Sequence, residues 1–449
     1  MILKVYKNIL KKPLLYLLVF GIAFRLIIYT SYNAITIYPD SRGYIKLSKF
    51  ILNLSFENYT GERTPGFPML IAVSGGDLYI TVFLQLVLGL LSIILLFNFI
   101  KIKSKSTPIA FWSTLIYSSF LHIVLFEFAI LTETLTTFLV ILTFWLIEKY
   151  KIFNHDSKVI PVLILSIILS LLYLTRPMFI YFPVGFSLFY LIKNYRWNLK
   201  LVLIKILIIL TLPYLSYYAW CSVNKNNIGV FASTYFTGVN LAQMATPFFE
   251  KAPEEDKLIR DILVKHRELN PMSNSKRKHP MSVWFAWNEL QQNTKLSSPQ
   301  LSHELGRISK NLILKHPDLY FKQVFVSWSL FWDSSIFFWK AENIKNDFIK
   351  TWTYRLWYSF QKHLLLLINL LFLVFSIKKL SLFFLSKSKK MDTDLLIVAI
   401  VISGSLAQAL IAYGSNSRFC VPFFPLIVYF VFKNIIFFLE NYRIFRTVR

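Results

Sequence analysis

The chain has 449 residues, of which 55% are hydrophobic, 17% aromatic and only 16% charged, and its mean hydropathy is +0.53. This balance excludes an ordinary soluble globular domain and indicates a protein that lies in a lipid bilayer. The formal net charge of +26 could suggest a nucleic-acid partner. The basic residues, however, form short clusters between apolar runs rather than one continuous face, so no nucleic acid is expected.

Apolar runs recur along the whole chain, and several approach the ~20 residues that cross ~30 Å of hydrocarbon. They predict an all-α polytopic membrane protein with about ten transmembrane helices. The predicted spans cover residues 13–30, 78–100, 108–125, 133–148, 159–175, 178–192, 200–220, 361–378, 395–412 and 420–437. An eleventh span at 319–340 would reverse every later loop, so this segment is predicted to be an aromatic-rich interfacial or re-entrant element.

The basic clusters indicate how the protein is oriented in the membrane. Loops rich in Lys and Arg lie on the cytoplasmic side. Lys4, Lys7, Lys11 and Lys12 precede the first span, and later clusters such as KIKSKS, KNYRWNLK and the tail NYRIFRTVR fall on the same side when ten spans are counted. Both termini are therefore predicted to be cytoplasmic.

Two polar regions are then predicted on the outer face. The first is the loop 31–77, within an N-terminal transmembrane region that covers residues 1–222. The second belongs to an outer-face domain over residues 223–340, where patterns such as APEEDKLIRDILVKHREL are those of amphipathic helices. This domain is predicted to be mostly helical, and residues 341–449 form a C-terminal transmembrane region.

The first outer loop opens with the segment AITIYPDSRGYIKLSKF. Asp40 follows Pro39, and the next residues have the spacing of a helix that lies along the membrane, with Tyr44 one turn further on. Asp40 has two interpretations. It either caps the N-terminus of this helix, or it acts as a general base at the boundary between the apolar and aqueous phases.

Further charged residues occur within or beside the predicted spans. A charge inside the bilayer costs at least ~2.5 kcal/mol and usually faces a cavity or a partner. Arg25 is placed within the first span, although its side chain could instead snorkel to the interface. The others are predicted on the same side as Asp40, and they are Arg63, Glu127, Glu133, Arg176 and Arg418. Each alone is best explained as an interface residue, but together they suit an anionic substrate embedded in the membrane.

Other site signals are weak. The histidines of the outer-face domain lack metal-ligand spacing, and the chain contains no GxxxxGK[ST], GxSxG or HExxH motif. The sequence therefore indicates no cofactor and leaves a divalent metal open.

Four segments resemble, in order, motifs of the C-type (GT-C) membrane glycosyltransferases, particularly the branch with protein O-mannosyltransferases and the bacterial lipid A aminoarabinose transferase. They are YPDSRGYIKLSKF, RTPGFPMLIAV, ILTETLTTFLVILTFWL and RFCVPFFPLIVYF. The chain departs from the family where many members carry an Asp-Glu pair, because Asp40 is followed here by Ser41. Glu133 is the natural candidate for the second carboxylate. Phe67 and Phe419 replace the more usual tyrosines.

The resemblance implies a GT-C-like fold and an inverting glycosyltransferase. Such an enzyme moves a hexosyl or pentosyl group from a polyprenyl-phosphate donor to a protein, lipid or polysaccharide acceptor on the outer face. It implies Asp40 as catalytic base and Glu133 as its helper. The donor phosphate and sugar would be bound by Arg63, Arg176, Arg418 and Tyr44.

By the same resemblance, the protein is expected in a bacterial cytoplasmic membrane with its site facing the periplasm or outside, in contact with membrane lipids. Two alternatives stay open. One is a transporter or flippase of lipid-linked glycans, although the sequence lacks the paired half-repeats that transporters often show. The other is a ligase or polymerase that moves whole glycans.

Overall fold

A computed structural model describes residues 10–32, 34–270, 278–336, 340–386, 390–412 and 416–447. Lys4 and Lys7, on which the predicted orientation partly depends, lie outside the described residues, as do residues 448–449 of the basic tail and residues 337–339 of the predicted interfacial element.

The described residues are almost entirely helical. Apart from helices they contain two isolated β-bridges, Tyr32 with Ile344 and Thr36 with Ala129. The N-terminal helices are α1 Pro13–Ser31, α2 Pro39–Leu52, α3 Gly66–Val73, α4 Leu78–Ser104, α5 Thr107–Ser119, α6 Leu121–Glu127, α7 Glu133–Lys149, α8 Val159–Thr175, α9 Tyr181–Asn194 and α10 Leu199–Ile228. The remaining helices are α11 Thr237–Ala245, α12 Lys257–Leu269, α13 Lys278–Thr294, α14 Ser298–Lys315, α15 Pro317–Phe331, α16 Asp347–Arg355, α17 Lys362–Leu385, α18 Thr393–Ile411 and α19 Phe424–Thr447.

Six stretches of the described chain are helical, long and apolar enough to cross a membrane. They are Pro13–Ser31, Leu78–Ser104, Leu199–Ile228, Asp347–Leu385, Thr393–Ile411 and Ser417–Leu439. Helices α5 and α6 together would make a seventh, bent by 63°. Helices α7, α8 and α9 have 17, 17 and 14 residues, fewer than the ~20 of a straight span. The prediction of a helical integral membrane protein is confirmed, whereas the count of about ten spans stays a prediction.

The apolar faces of these helices build one large core. Helix α4 packs against α7, α8 against α10, and α5 against α19. On the outer surfaces, large aliphatic side chains such as Leu203, Leu207 and Leu370 are exposed. Such a surface suits contact with lipid, because the side chains are apolar and the backbone N–H and C=O groups are hydrogen-bonded within the helices.

Helices α11 to α14 form a separate unit, which we call the cap. It has its own hydrophobic core, in which Leu263, Leu290 and Leu305 are fully buried. The cap continues into α15, which falls within the predicted interfacial element. Helix α15 has 15 residues and lies against α18, where Trp328 Nε1 donates a 3.0 Å hydrogen bond to Ser405 Oγ.

Candidate functional site

Asp40 lies in the first turn of α2, and its carboxylate is held by two arginines from distant parts of the chain. Oδ1 accepts a 2.8 Å hydrogen bond from Arg63 Nη2, and Oδ2 accepts a 2.6 Å hydrogen bond from Arg418 Nη1. Of the two interpretations of Asp40, the structure does not support the helix cap, because the N-cap residue of α2 is Tyr38. Ser41 Oγ accepts from the backbone N–H of Tyr38 at 2.8 Å, so the serine satisfies the helix start and Asp40 is left for the arginines.

Arg63 is fixed from several sides. The hydroxyl of Tyr59 lies 2.6 Å from both the backbone N and the backbone O of Arg63. The guanidinium carbon lies 5.0 Å from the centre of the Tyr44 ring and 5.1 Å from that of Phe236, so the cation contacts two aromatic rings. Its Nε is buried without a hydrogen-bond partner among the described residues. A Cβ at Gly43 would lie 2.9 Å from this Nε, so the glycine allows the close approach.

Glu133 is the first residue of α7, where the positive end of the helix dipole favours a carboxylate. It is fully buried, and its Oε1 accepts hydrogen bonds from Arg418 Nε at 2.5 Å and from Arg176 Nη1 at 3.4 Å. Arg418 therefore connects the two carboxylates, because it contacts Asp40 and Glu133 at once. Glu133 Oε2 is buried without a hydrogen-bond partner in the described chain.

Arg176 and Arg418 come from helix ends at the same end of the bundle. Arg176 is the residue at which α8 terminates, and its guanidinium carbon lies 4.4 Å from the centre of the Phe419 ring. Arg418 lies in the short 3₁₀ segment before α19. All six predicted site residues, Asp40, Tyr44, Arg63, Glu133, Arg176 and Arg418, are thus brought together in one place, which we call the arginine cluster.

The charges of this cluster do not cancel. Three guanidinium groups face two carboxylates, which leaves an excess of one positive charge in a site where most of the groups are buried. Burial raises the pKa of Asp40, but the charges of Arg63 and Arg418 more than offset this and hold the pKa well below its usual range. Asp40 is therefore ionised at neutral pH, and the six residues of the cluster together carry one net positive charge.

These residues do not fit a divalent cation. Both oxygens of Asp40 are already occupied by guanidinium groups, and the local charge is positive. Among the described residues, no group of three or more His, Cys, Asp or Glu side chains is arranged so that it could hold a metal ion.

Arg25 and Glu127 form a second, separate ion pair. Arg25 Nε donates to Glu127 Oε2 at 2.7 Å and Nη2 donates to Oε1 at 2.5 Å, and both side chains are buried. Arg25 does not snorkel to the interface, since a partner within the bundle satisfies it. This pair joins α1 to α6 and contributes no atom to the arginine cluster.

Sequence reasoning missed the residues that position the cluster. Tyr59, Gly43 and Phe236 carry no sequence signal of their own, because their contacts with Arg63 depend on tertiary structure. Gly66 is a partial exception, since it belongs to the segment RTPGFP. A Cβ there would lie 2.5 Å from the backbone N of Thr175, so the glycine lets α3 approach the end of α8 beside Arg176.

Comparison with solved structures finds similarity to the archaeal oligosaccharyltransferase AglB from Archaeoglobus fulgidus, solved in complex with an inhibitory peptide and a dolichol-phosphate. The TM-score is 0.51 at 11% sequence identity, and the match covers 98% of this chain and 52% of that chain. The present chain thus spans about half the length of that chain. The similarity is one of fold. No family model and no curated protein sequence matches the chain.

Proposed function

We propose that the protein is an inverting glycosyltransferase that takes a sugar from a lipid-phosphate donor and passes it to an acceptor hydroxyl. The observation that carries this proposal is the arginine cluster, in which Arg418 holds Asp40 and Glu133 together and one positive charge remains in excess. A donor phosphate is the anion that such a site suits, because guanidinium groups bind phosphate through paired hydrogen bonds.

The structural neighbour supports the choice of donor. The oligosaccharyltransferase structure contains a dolichol-phosphate, a phosphorylated polyprenol-type lipid, together with a peptide. By analogy of fold, we propose a polyprenyl-phosphate sugar as donor and a protein, lipid or polysaccharide as acceptor. A hexosyl or a pentosyl group would both suit the chemistry, and the O-mannosyltransferase and aminoarabinose transferase branch stays the proposed relationship.

In the proposed reaction, the acceptor oxygen attacks the anomeric carbon of the sugar from the face opposite the phosphate. The bond between the anomeric carbon and the phosphate oxygen breaks, and the lipid phosphate leaves with the bonding electrons. Arg63, Arg176 and Arg418 stabilise the negative charge that develops on it. Asp40 accepts the proton of the acceptor hydroxyl, and the configuration at the anomeric carbon is inverted.

In the donor-free state, Asp40 is too strongly ion-paired to be an effective base, since a carboxylate with a lowered pKa accepts a proton poorly. A donor phosphate competes with Asp40 for the same guanidinium groups. Binding of the donor would draw Arg63 and Arg418 towards the phosphate, release the carboxylate and raise its pKa. Glu133 would orient the acceptor or the sugar through its unpartnered Oε2, and Tyr44 would line the sugar subsite.

We further propose that the cluster faces the outside of a bacterial cytoplasmic membrane and that both termini are cytoplasmic. The basic loops favour this orientation. An outer site has no supply of nucleotide sugars, which is consistent with an activated sugar that arrives through the membrane on a lipid.

A second candidate is transfer of a whole glycan rather than a single sugar, as a ligase or polymerase would perform. The observation that favours it is the oligosaccharyltransferase neighbour, whose name denotes transfer of an oligosaccharide. Both candidates use the same arginine cluster, and they differ in the length of the glycan on the donor.

The experiment is turnover by the purified protein in nanodiscs, supplied with polyprenyl-phosphate sugars or polyprenyl-diphosphate glycans and an acceptor mixture. Release of lipid phosphate and glycosylation of the acceptor are measured together. Asp40→Asn should abolish turnover while donor binding is retained, and Asp318→Asn, at an exposed aspartate in the first turn of α15, is the matched control. Undiminished turnover by Asp40→Asn would refute the assignment of the base. In sealed proteoliposomes, movement of the donor across the membrane without transfer would instead indicate a flippase.

A further inference from the structure

A row of aromatic side chains leads from the arginine cluster on to the cap. The Phe236 ring centre lies 5.1 Å from the guanidinium carbon of Arg63. The ring centres of Phe236 and Trp284 are 5.6 Å apart, and those of Trp284 and Trp287 are also 5.6 Å apart. We call Phe236, Trp284 and Trp287 the aromatic shelf.

The shelf is mounted on rigid elements. Trp284 and Trp287 are three residues apart on α13 and therefore share one face of that helix. Val283, Ala286 and Leu290, on an adjacent face of α13, are fully buried in the cap core, and Trp287 and Phe236 pack against that core.

The other end of the shelf is attached directly to the loop that carries Arg63. The backbone N–H of Tyr235 donates a 3.1 Å hydrogen bond to the carbonyl oxygen of Gly61. The carbonyl of Tyr235 in turn accepts from Ser302 Oγ on α14. Phe236, the next residue, is thereby held between the loop that carries Arg63 and the cap, so the shelf is in direct contact with the arginine cluster.

The surroundings of the shelf differ from those of the lipid-facing helices. The indole of Trp284 is 38% exposed, and the exposed residues that follow on α13 are Phe285 and three amides, Asn288, Gln292 and Asn293. By contrast, the surface of α10 presents aliphatic side chains such as Leu203 and Leu207. An aromatic surface bordered by amides suits a sugar ring, whose C–H face stacks on the aromatic ring while its hydroxyl groups bond to the amides.

We propose that the aromatic shelf is a saccharide-binding subsite, and that it holds a short oligosaccharide which extends from the arginine cluster on to the cap. The inference rests on the proposed function, which places one end of the glycan at the arginine cluster. It adds that either the donor or the acceptor carries several sugar units. The exposed indole of Trp284 provides the stacking position for a sugar unit, and Phe236, 5.6 Å from it, connects this position to Arg63.

In the test, the labelled full-length protein in nanodiscs is applied to an array of immobilised glycans. The glycans are linear tri- to hexasaccharides built from hexoses, N-acetylhexosamines and pentoses. We expect the wild type to retain a subset of these glycans. Trp284→Leu, which keeps an apolar side chain but removes the ring, should weaken retention by about tenfold. Trp284→Phe should keep most of it. Phe285→Ala is the matched control, because Phe285 is an exposed aromatic on the same helix outside the shelf.

Absence of glycan retention by the wild type would overturn the proposal. So would equal retention by Trp284→Leu and the wild type, or an effect of Trp284→Leu confined to binding of phospholipid vesicles. Thermal melting of each variant separates a loss of binding from a loss of fold. Glycan retention that depends on Trp284, without turnover of any lipid-linked sugar, would leave the shelf standing and refute the transferase. If Trp284→Leu leaves turnover unchanged at every glycan length, the proposed transferase function stands and the proposed saccharide-binding role of the shelf is refuted.

Discussion

Arg418 donates a 2.6 Å hydrogen bond to Asp40, although the two residues are 378 positions apart in the chain. The contact joins α2, which follows the first membrane helix, to the segment that starts the last one. Since the Nε of the same guanidinium reaches Glu133 Oε1 at 2.5 Å, one planar group fixes the separation of both carboxylates. This planarity is what a lysine could not supply.

Arg418→Lys should therefore lower kcat/KM for the donor by at least ~10²-fold, a loss comparable with that of one charge-stabilising donor at an oxyanion. The ammonium group keeps the positive charge but cannot bond to Asp40 and Glu133 in the same planar geometry. The measurement is steady-state kinetics with varied donor, alongside equilibrium binding of the released polyprenyl phosphate.

Arg260→Lys is the control for that substitution. Arg260 lies on the cap and pairs with the exposed Glu254 at 2.8 Å, a surface ion pair worth little. It should leave kcat/KM unchanged. Full activity in Arg418→Lys would show that charge alone suffices and that the shared geometry has no catalytic role.

The pH dependence should differ between kcat/KM and kcat. Burial raises the pKa of Asp40, but Arg63 and Arg418 lower it by more than burial raises it. In the donor-free protein the carboxylate therefore stays ionised at pH values below its ordinary pKa of ~3.9. No acid limb due to Asp40 should then appear in kcat/KM above about pH 4. In the donor complex the phosphate competes for the arginines, the pKa of Asp40 rises, and kcat should fall with decreasing pH at a higher pH than kcat/KM does.

Asp40→Glu supplies a check on that assignment, because the longer side chain keeps a titrating carboxylate while changing its contacts with the two arginines. Its residual kcat should show an acid limb at a shifted pH. Coincident acid limbs for kcat and kcat/KM in the wild type would contradict release of Asp40 by the donor.

The sequence predicted the helical membrane fold and the membership of the arginine cluster better than it predicted the cluster's geometry. A long apolar run is the direct sequence signal of a membrane span. The positions of four predicted spans therefore match helices of the structure, namely α1, α4, α10 and α18. The number of membrane crossings was harder to predict, because α7 to α9 are short and α5 and α6 are separated by a bend of 63°. Run length alone does not distinguish a short span from a partial one.

Within the site, the sequence could not choose between the two interpretations of Asp40, because a carboxylate at the start of a helix can serve either as a cap or as a general base. The choice is made by Arg63 and Arg418, which occupy the Asp40 carboxylate and leave Ser41 to the backbone. These arginines reach Asp40 only in the folded bundle. The residues next to Asp40 in the sequence therefore do not reveal which role its carboxylate has.

Gly43→Ala should impair the site without unfolding the protein. The added Cβ would lie 2.9 Å from Arg63 Nε and 3.1 Å from its Cγ, so Arg63 must move relative to Asp40. A displacement of this kind should lower kcat/KM for the donor by ~10- to 100-fold. Helix stability should rise slightly, since alanine is favoured over glycine in a helix interior.

Gly185→Ala is the matched helical glycine for that experiment. The added Cβ would lie 3.3 Å from Ile400 Cδ1, which is the flexible end of a side chain. It would contact no residue of the arginine cluster. It should retain activity. A Gly43→Ala enzyme with wild-type kinetics would mean that Arg63 tolerates displacement and is not needed at its present position.

The buried Arg25–Glu127 pair should act on stability and not on substrate binding. Arg25→Met leaves the carboxyl group of Glu127 buried without its partner, and loss of one member of a buried pair typically costs about 3–5 kcal/mol. Unfolding of the purified protein, followed by helicity, should show this loss. The double variant Arg25→Met with Glu127→Met removes both charges and should recover most of it, with an unchanged KM for the donor. A double variant that folds but no longer binds the donor would instead place this pair within the functional site.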